Sequence, residues 1–225
     1  MKCLWCQNQV TRNLLMQEIL FPWLITESLC STCRNLFEKT PADVCPHCCK
    51  VGQATICEEC LVWQEKYPDL TINHHSFFLY NEAFSQWIYQ YKFLGDYRLR
   101  QTFRLELKKY FKHKSDVIIC PIPLSVERYT ERGFNQTQAM LEAANITYTS
   151  LLKKKSDTLP QAQKNRQQRL STTQPFEATQ ACLEIKAKKI ILFDDVYTTG
   201  PTLLHAMDVL NAYHPSQIST VSLAR

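Results

Sequence analysis

The sequence lacks any apolar stretch long enough to cross a bilayer, which takes about 20 residues. The nearest approach, Leu14–Ile25, is interrupted by Gln17, Glu18 and Pro22, so no membrane span is expected. A basic opening followed by an apolar core and a small-residue cleavage site is also missing, and the chain reads as cytoplasmic. Nor does it have the poor hydrophobicity of a disordered chain. Of its 225 residues, 45% are hydrophobic and 21% charged, which suffices for one full domain and a small appendage. Glycine is scarce, at 4 residues.

Cysteine is plentiful, at 11 residues. In a reducing compartment such a number points to metal binding ahead of disulfides. Eight of them form four Cys-x2-Cys pairs, Cys3/Cys6, Cys30/Cys33, Cys45/Cys48 and Cys57/Cys60. Two thiolates three positions apart face one ion from a tight knuckle, and two knuckles close a tetrahedral zinc site. Four knuckles therefore make two structural Zn²⁺ sites, with no open position for catalysis. The short spacer between Cys48 and Cys57 suits a ribbon hairpin, which pairs the third knuckle with the fourth and the first with the second; an interleaved pairing stays open. His47 is bracketed by two thiolates and is not expected to be a ligand. Cys49 occupies a knuckle slot that often needs positive φ. Cys120 and Cys182 have no partners and read as small buried residues.

Charge divides unevenly. Residues 1–66 carry 6 Lys+Arg against 7 Asp+Glu, and residues 67–225 carry 20 against 14. Thiolate-bound zinc makes the first part more negative still. An acidic or phosphorylated partner is expected to approach the second part.

From about residue 67 the pattern becomes α/β, so we divide the chain into 1–65, a double zinc ribbon, and 67–225. A strand at His75–Tyr80 is followed by a helix capped by Asn81, with Phe84, Trp87, Ile88 and Tyr91 at helical spacing and Gly95 at its end. A second helix near Leu99–Phe111 buries Leu99, Phe103, Leu107 and Phe111. Beside that stripe Arg100, Arg104, Lys108 and Lys112 form an i, i+4 basic ridge, suited to a polyanion. Then come a strand at Val117–Cys120, a loop to Gly133, a helix through Asn145, a strand at Thr147–Leu152 and a long polar loop. A strand at Ile190–Phe193, a helix from Pro201 and a strand at Ile218–Leu223 complete the chain. Short apolar strands alternating with helices imply a mainly parallel sheet covered on both faces. The loops after residues 120, 152 and 193 are expected to share one cleft beyond the strand ends.

The segment from Ile190 to Thr202 is the most informative. Four apolar residues lead to Asp194 and Asp195, then Val196, Tyr197, Thr198, Thr199, Gly200, Pro201 and Thr202. Amides at a helix N-terminus favour a phosphate, and the threonine hydroxyls add donors. Gly200 permits the tight turn. The two acids suit vicinal ribose hydroxyls or a bridging Mg²⁺.

This segment resembles the type I phosphoribosyltransferases, whose loop binds the 5-phosphate of phosphoribosyl pyrophosphate. The motifs Tyr91-Lys92-Phe93-Leu94-Gly95-Asp96, Pro121-Ile122-Pro123-Leu124 with Arg128, and Arg132-Gly133-Phe134-Asn135-Gln136 behind a double zinc ribbon resemble the ComF family of competence proteins. The resemblance implies a phosphoribosyltransferase-like fold and the handling of single-stranded DNA during natural transformation, beside a helicase-like competence ATPase, and the ridge of Arg100, Arg104, Lys108 and Lys112 is then our candidate DNA-binding surface. It implies Asp194 and Asp195 as catalytic residues and 194–200 with Thr202 as the phosphoribose site, taking phosphoribosyl pyrophosphate with Mg²⁺. Arg128, Arg132 and Lys92 would meet the pyrophosphate. Lys153–Arg169, with six basic residues, corresponds to the hood of these enzymes; Lys155 stands near the place of the family's arginine. Pro201 stands where the family usually has Ala or Ser, which removes an N–H but suits the first position of a helix. The competing readings are a working transferase with an unidentified acceptor and a zinc-ribbon adaptor on an inert scaffold.

Overall fold

The computed structural model describes residues 2–10, 16–20, 29–155 and 174–225. The hood sequence beyond Lys155, with Thr158 and Gln161, and Trp23 lie outside the described residues. Among its described residues the first part carries three short helices, α1 (Met16–Leu20), α2 (Ser31–Asn35) and α3 (Glu58–Lys66). The second follows the order β1 (His74–Phe78), α4 (Glu82–Lys92), α5 (Arg104–Phe111), β2 (Val117–Pro121), α6 (Val126–Arg132) and α7 (Gln136–Ala143). After these come β3 (Leu152–Lys154), β4 (Phe176–Ala178), β5 (Lys189–Val196), α8 (Pro201–Asn211) and β6 (Gln217–Ala224). Strands β1, β6, β5 and β2 form, in that order, one sheet whose neighbours all pair parallel. No helix among the described residues is long and apolar enough to cross a membrane.

Both faces of the sheet are covered, which is why β5 is apolar at successive positions. Ile191 and Phe193 join α4, α5 and α7 in one core, while Ile190 and Leu192 join α8 in the other. The cysteine-rich part contributes to both. Cys3, Leu29, Cys33 and Phe37 belong to the first core, and Cys45, Cys48, Cys57, Cys60 and Trp63 to the second.

Several expected elements change. The chain through Leu99–Phe111 is not one helix: Tyr97–Gln101 is a 3-10 turn and α5 begins at Arg104. The break falls at Phe103, with φ −107° and ψ +21°, while Thr102 before it keeps helical dihedrals and takes the Trp87 Nε1–H at 3.0 Å. All four stripe residues remain buried. Thr147–Leu152 is not a strand. It makes one backbone bond to the sheet edge, from Thr149 N–H to Ile119 O at 2.8 Å. Pairing starts at Leu152, antiparallel to β4, in a separate two-stranded sheet. The expected loop before Gly133 contains α6, capped by Ser125 and ended by Gly133 at φ +79°. Helix α7 stops at Ala143, short of Asn145, whose φ is +55°.

Candidate functional site

The strand that ends in two acids sets the geometry. Successive strand residues point to opposite faces, so Asp195 follows Phe193 onto the face covered by α4, while Asp194 follows Leu192. From the last turn of α4, Lys92 Nζ reaches Asp195 Oδ2 at 2.7 Å. The Asp195 amide donates to Asp194 Oδ1 at 2.9 Å. Both carboxyls are buried. Burial, and then the Asp195 charge, push the Asp194 carboxyl well above its usual range, opposed by Lys92.

A raised carboxyl favours the folded state while protonated, and that contribution fades as pH climbs from the ordinary value of 3.8 to about 7. Asp194→Asn, neutral throughout, is therefore expected to melt several degrees above the parent at pH 8, since each pKa unit is worth about 1.4 kcal/mol. The gap narrows below pH 7 and closes near the ordinary value. Thermal denaturation across that range checks it, and a variant that melts lower at pH 8 refutes it.

Beyond β5 the chain turns sharply. Gly200 has φ +95°, and a Cβ there would lie 2.5 Å from Tyr197 Oη. It is the N-cap of α8, with no side-chain capping bond, and Pro201 occupies the first turn. Pro201 is thus accounted for by helix initiation. Thr199 Oγ1 is buried without a hydrogen-bond partner, a donor group that a phosphate oxygen would satisfy.

Asp194, Asp195, Val196, Thr198, Thr199 and Thr202 all line one cleft of about 490 Å³. Lys92, Arg128, Arg132 and Lys154 line it too, so the stretches following residues 120, 152 and 193 share it as expected. Arg128 and Arg132 lie one turn apart on α6. Arg128 also pairs with Glu131 at 3.0 Å, and Arg132 Nη1 donates to Gln136 Oε1 at 2.6 Å.

Tyr197 takes a different place from its neighbours. Its side chain is buried behind the loop against His74, ring centroids 4.5 Å apart, and its amide bonds to Ala224 O, so it does not line the cleft. Gly200 is absent from the lining as well and contributes the turn. Missing from the expected set were Lys154 and His205, which line the cleft. Strand alternation carried a signal for the first. Lys155 lies 3.9 Å from Glu177 on the other side of the ribbon, which leaves Lys154 to face the cleft. His205 is buried, with Nε2 unpartnered and Nδ1 3.1 Å from the Tyr67 hydroxyl.

The knuckles pair in sequence. Cys3, Cys6, Cys30 and Cys33 form one group and Cys45, Cys48, Cys57 and Cys60 the other, the sulfurs of each lying within 4.8 Å of one another. Cys6–Cys30, Cys45–Cys60 and Cys48–Cys57 sulfurs are 3.8, 3.9 and 3.5 Å apart. The edge of a zinc–thiolate tetrahedron is about 3.8 Å for bonds of ~2.3 Å, so each set can hold one zinc ion. Cys49 has φ +62° and donates its thiol to His74 O at 3.1 Å; neither it nor His47 joins a group.

A phosphoribosyl transferase domain model matches residues 104–225. Over 225 residues, spanning 100% of both chains, this chain is 35% identical to the competence protein ComFC of Streptococcus pneumoniae (strain ATCC BAA-255 / R6). The chain belongs to the ComFC family. It is also 29% identical to ComFC of Bacillus subtilis (strain 168), over 99% of this chain and 94% of that protein. It is 28% identical to competence protein F of Haemophilus influenzae (strain ATCC 51907 / DSM 11121 / KW20 / Rd), over 88% and 90%.

In this ComFC-family chain the basic ridge is discontinuous. Arg100 lies on the 3-10 turn with its guanidinium 4.4 Å from the Tyr97 ring centroid. Arg104 opens α5, and Lys108 and Lys112 are exposed beside a separate groove. Three residues per turn in the 3-10 segment rotate Arg100 off the α5 stripe. None of the four lines the cleft.

Proposed function

We propose that this protein handles single-stranded DNA during natural transformation, in the cytoplasm beside a helicase-like competence ATPase. Its cleft takes a phosphoribosyl-pyrophosphate-type ligand with Mg²⁺. One observation carries the ligand reading: an open helix N-terminus and an orphaned threonine hydroxyl face two acids and the cations Lys92, Arg128, Arg132 and Lys154 across one cleft. The amides and hydroxyls suit a 5-phosphate, the acids a ribose diol or Mg²⁺, and the α6 guanidiniums a pyrophosphate. Asp194 and Asp195 at the strand end also keep open catalysis of transfer to an acceptor. Membership of the ComFC family supplies the competence role.

The test is binding of labelled single-stranded DNA by the zinc-loaded protein at two salt concentrations, with and without phosphoribosyl pyrophosphate and Mg²⁺. Salt-sensitive binding modulated by the small ligand supports the reading. Ligand binding without DNA binding shifts it to a transferase. Lys108→Gln with Lys112→Gln is expected to lower the slope of log affinity against log salt by about 1.4, at ~0.7 per phosphate contact on single strands. Arg100→Gln is expected to change it less, because that guanidinium already lies against Tyr97. An unchanged slope in the lysine pair removes α5 from the DNA path.

A further inference from the structure

The cysteine-rich part does more than sit beside the α/β part. Helix α3 starts from Cys57 and contains Cys60, so its position depends on the second cysteine group. One turn beyond Cys60, the buried Trp63 donates its Nε1–H to Thr199 O at 2.8 Å. Glu59, between the two cysteines, accepts from Arg225 Nη2 at 3.0 Å. The same guanidinium donates through Nη1 to Thr198 O at 3.2 Å and lies 4.4 Å from the Tyr197 ring centroid. Two consecutive carbonyls of the phosphate loop are therefore held from behind by side chains anchored at the second cysteine group.

A trans peptide is planar, so its C=O and the following N–H point in opposite directions. Drawing the Thr198 and Thr199 carbonyls toward Arg225 and Trp63 turns the Thr199 and Gly200 amides the other way, where an anion can use them. We infer that Trp63 and Arg225 are positioning residues of the phosphate loop, and that through them the second zinc site and the loop stabilise each other. Coupling of this kind is reciprocal: zinc favours the ligand-ready loop, and a bound phosphoribosyl ligand holds α3 and slows zinc loss. The ligand half rests on the reading of the cleft given above; the zinc half does not.

The experiment uses the full zinc-loaded chain and Trp63→Phe, which keeps the ring and loses the N–H. Amide hydrogen exchange without ligand is expected to be roughly tenfold faster in the variant at Tyr197 and Leu204, whose N–H groups donate to Ala224 O at 2.9 Å and Gly200 O at 3.0 Å at the two ends of the loop, the equivalent of one lost hydrogen bond. Exchange in β5 and in the middle of α8 stays unchanged. Zinc release from the second group to a chromogenic chelator blind to Mg²⁺ is expected to slow about fivefold or more with phosphoribosyl pyrophosphate and Mg²⁺ in the parent. That slowing is lost in Trp63→Phe, and release from the first group is unaffected by ligand in both. Arg225→Ala, which releases Thr198 O and the Arg225 link to Glu59 but leaves Thr199 O held by Trp63, repeats the measurement if Trp63→Phe does not fold. Calorimetry of ligand binding to the parent separates the two ideas. Absence of binding overturns the cleft reading and leaves the exchange result to decide the coupling. Binding with unchanged zinc release, or unchanged exchange at Tyr197 and Leu204, overturns the coupling.

Discussion

Chelation of the intact protein is expected to remove zinc in two steps of unequal rate and unequal consequence. The first cysteine group has one exposed and one half-buried member, Cys6 and Cys30, whereas all four members of the second are buried. A chelator must reach the ion or wait for the protein to open, so the first group empties early. Loss of the second is expected to abolish the cooperative thermal transition. Its sulfurs sit in the α8 core, and a structural zinc contributes about 10–16 kcal/mol in isolated zinc-finger peptides, comparable to the whole stability of a domain at about 5–15 kcal/mol. Cys57→Ser with Cys60→Ser is expected to give the same outcome, while Cys6→Ser keeps a cooperative transition at lower temperature. Zinc content followed beside circular dichroism checks this. Both ions leaving in one phase with the far-ultraviolet signal intact would show that neither holds the fold.

Asp195→Ala is expected to weaken binding of phosphoribosyl pyrophosphate with Mg²⁺ by about a hundredfold or more. The direction separates two accounts of the cleft. If it were a basic patch that attracts phosphate, removing an acid would tighten binding, because Lys92 would lose its partner and the cleft would gain positive charge. If the acid receives ribose hydroxyls or Mg²⁺, its loss leaves those groups unpaired, and desolvated polar groups without partners cost about 1–3 kcal/mol each, more when charged. Calorimetry with phosphoribosyl pyrophosphate and with inorganic pyrophosphate makes the comparison. Weakened binding of the first beside unchanged or tighter binding of the second is the expected pattern, and tighter binding of both would refute ribose recognition. Affinity for single-stranded DNA is expected to survive, since none of Arg100, Arg104, Lys108 and Lys112 lines the cleft.

Local chemistry was legible wherever neighbouring residues carried it. The knuckle spacing, the cap at Asn81, the buried stripe from Leu99 to Phe111 and the Asp194–Thr202 turn each depend on contacts within a few positions. So does the positive φ at Cys49. Periodicity failed where partners came from far along the chain. Leu152–Lys154 pairs with Phe176–Ala178, more than twenty residues on, and nothing near Thr147 discloses that. The helix near Leu99 breaks at Phe103, whose ring packs against Phe37, Phe78, Phe84 and Trp87 from other elements. Sequence groups Tyr197 with its neighbours, which line the cleft; its ring turns inward to pack on His74.

By itself, then, the sequence determined two four-thiolate sets, an α/β part with a parallel sheet, and a strand ending in paired acids before a hydroxyl-rich turn. Those features follow from spacing, alternation and capping, which act over one or two turns of chain. Only the tertiary structure decided which cysteines share an ion, which face of β5 each acid takes, and that Lys92 meets Asp195. It alone brought Trp63 to Thr199 O, 136 positions away. Such pairings arise from burial of two cores against opposite faces of one sheet, and burial is a property of the whole chain that no local pattern encodes.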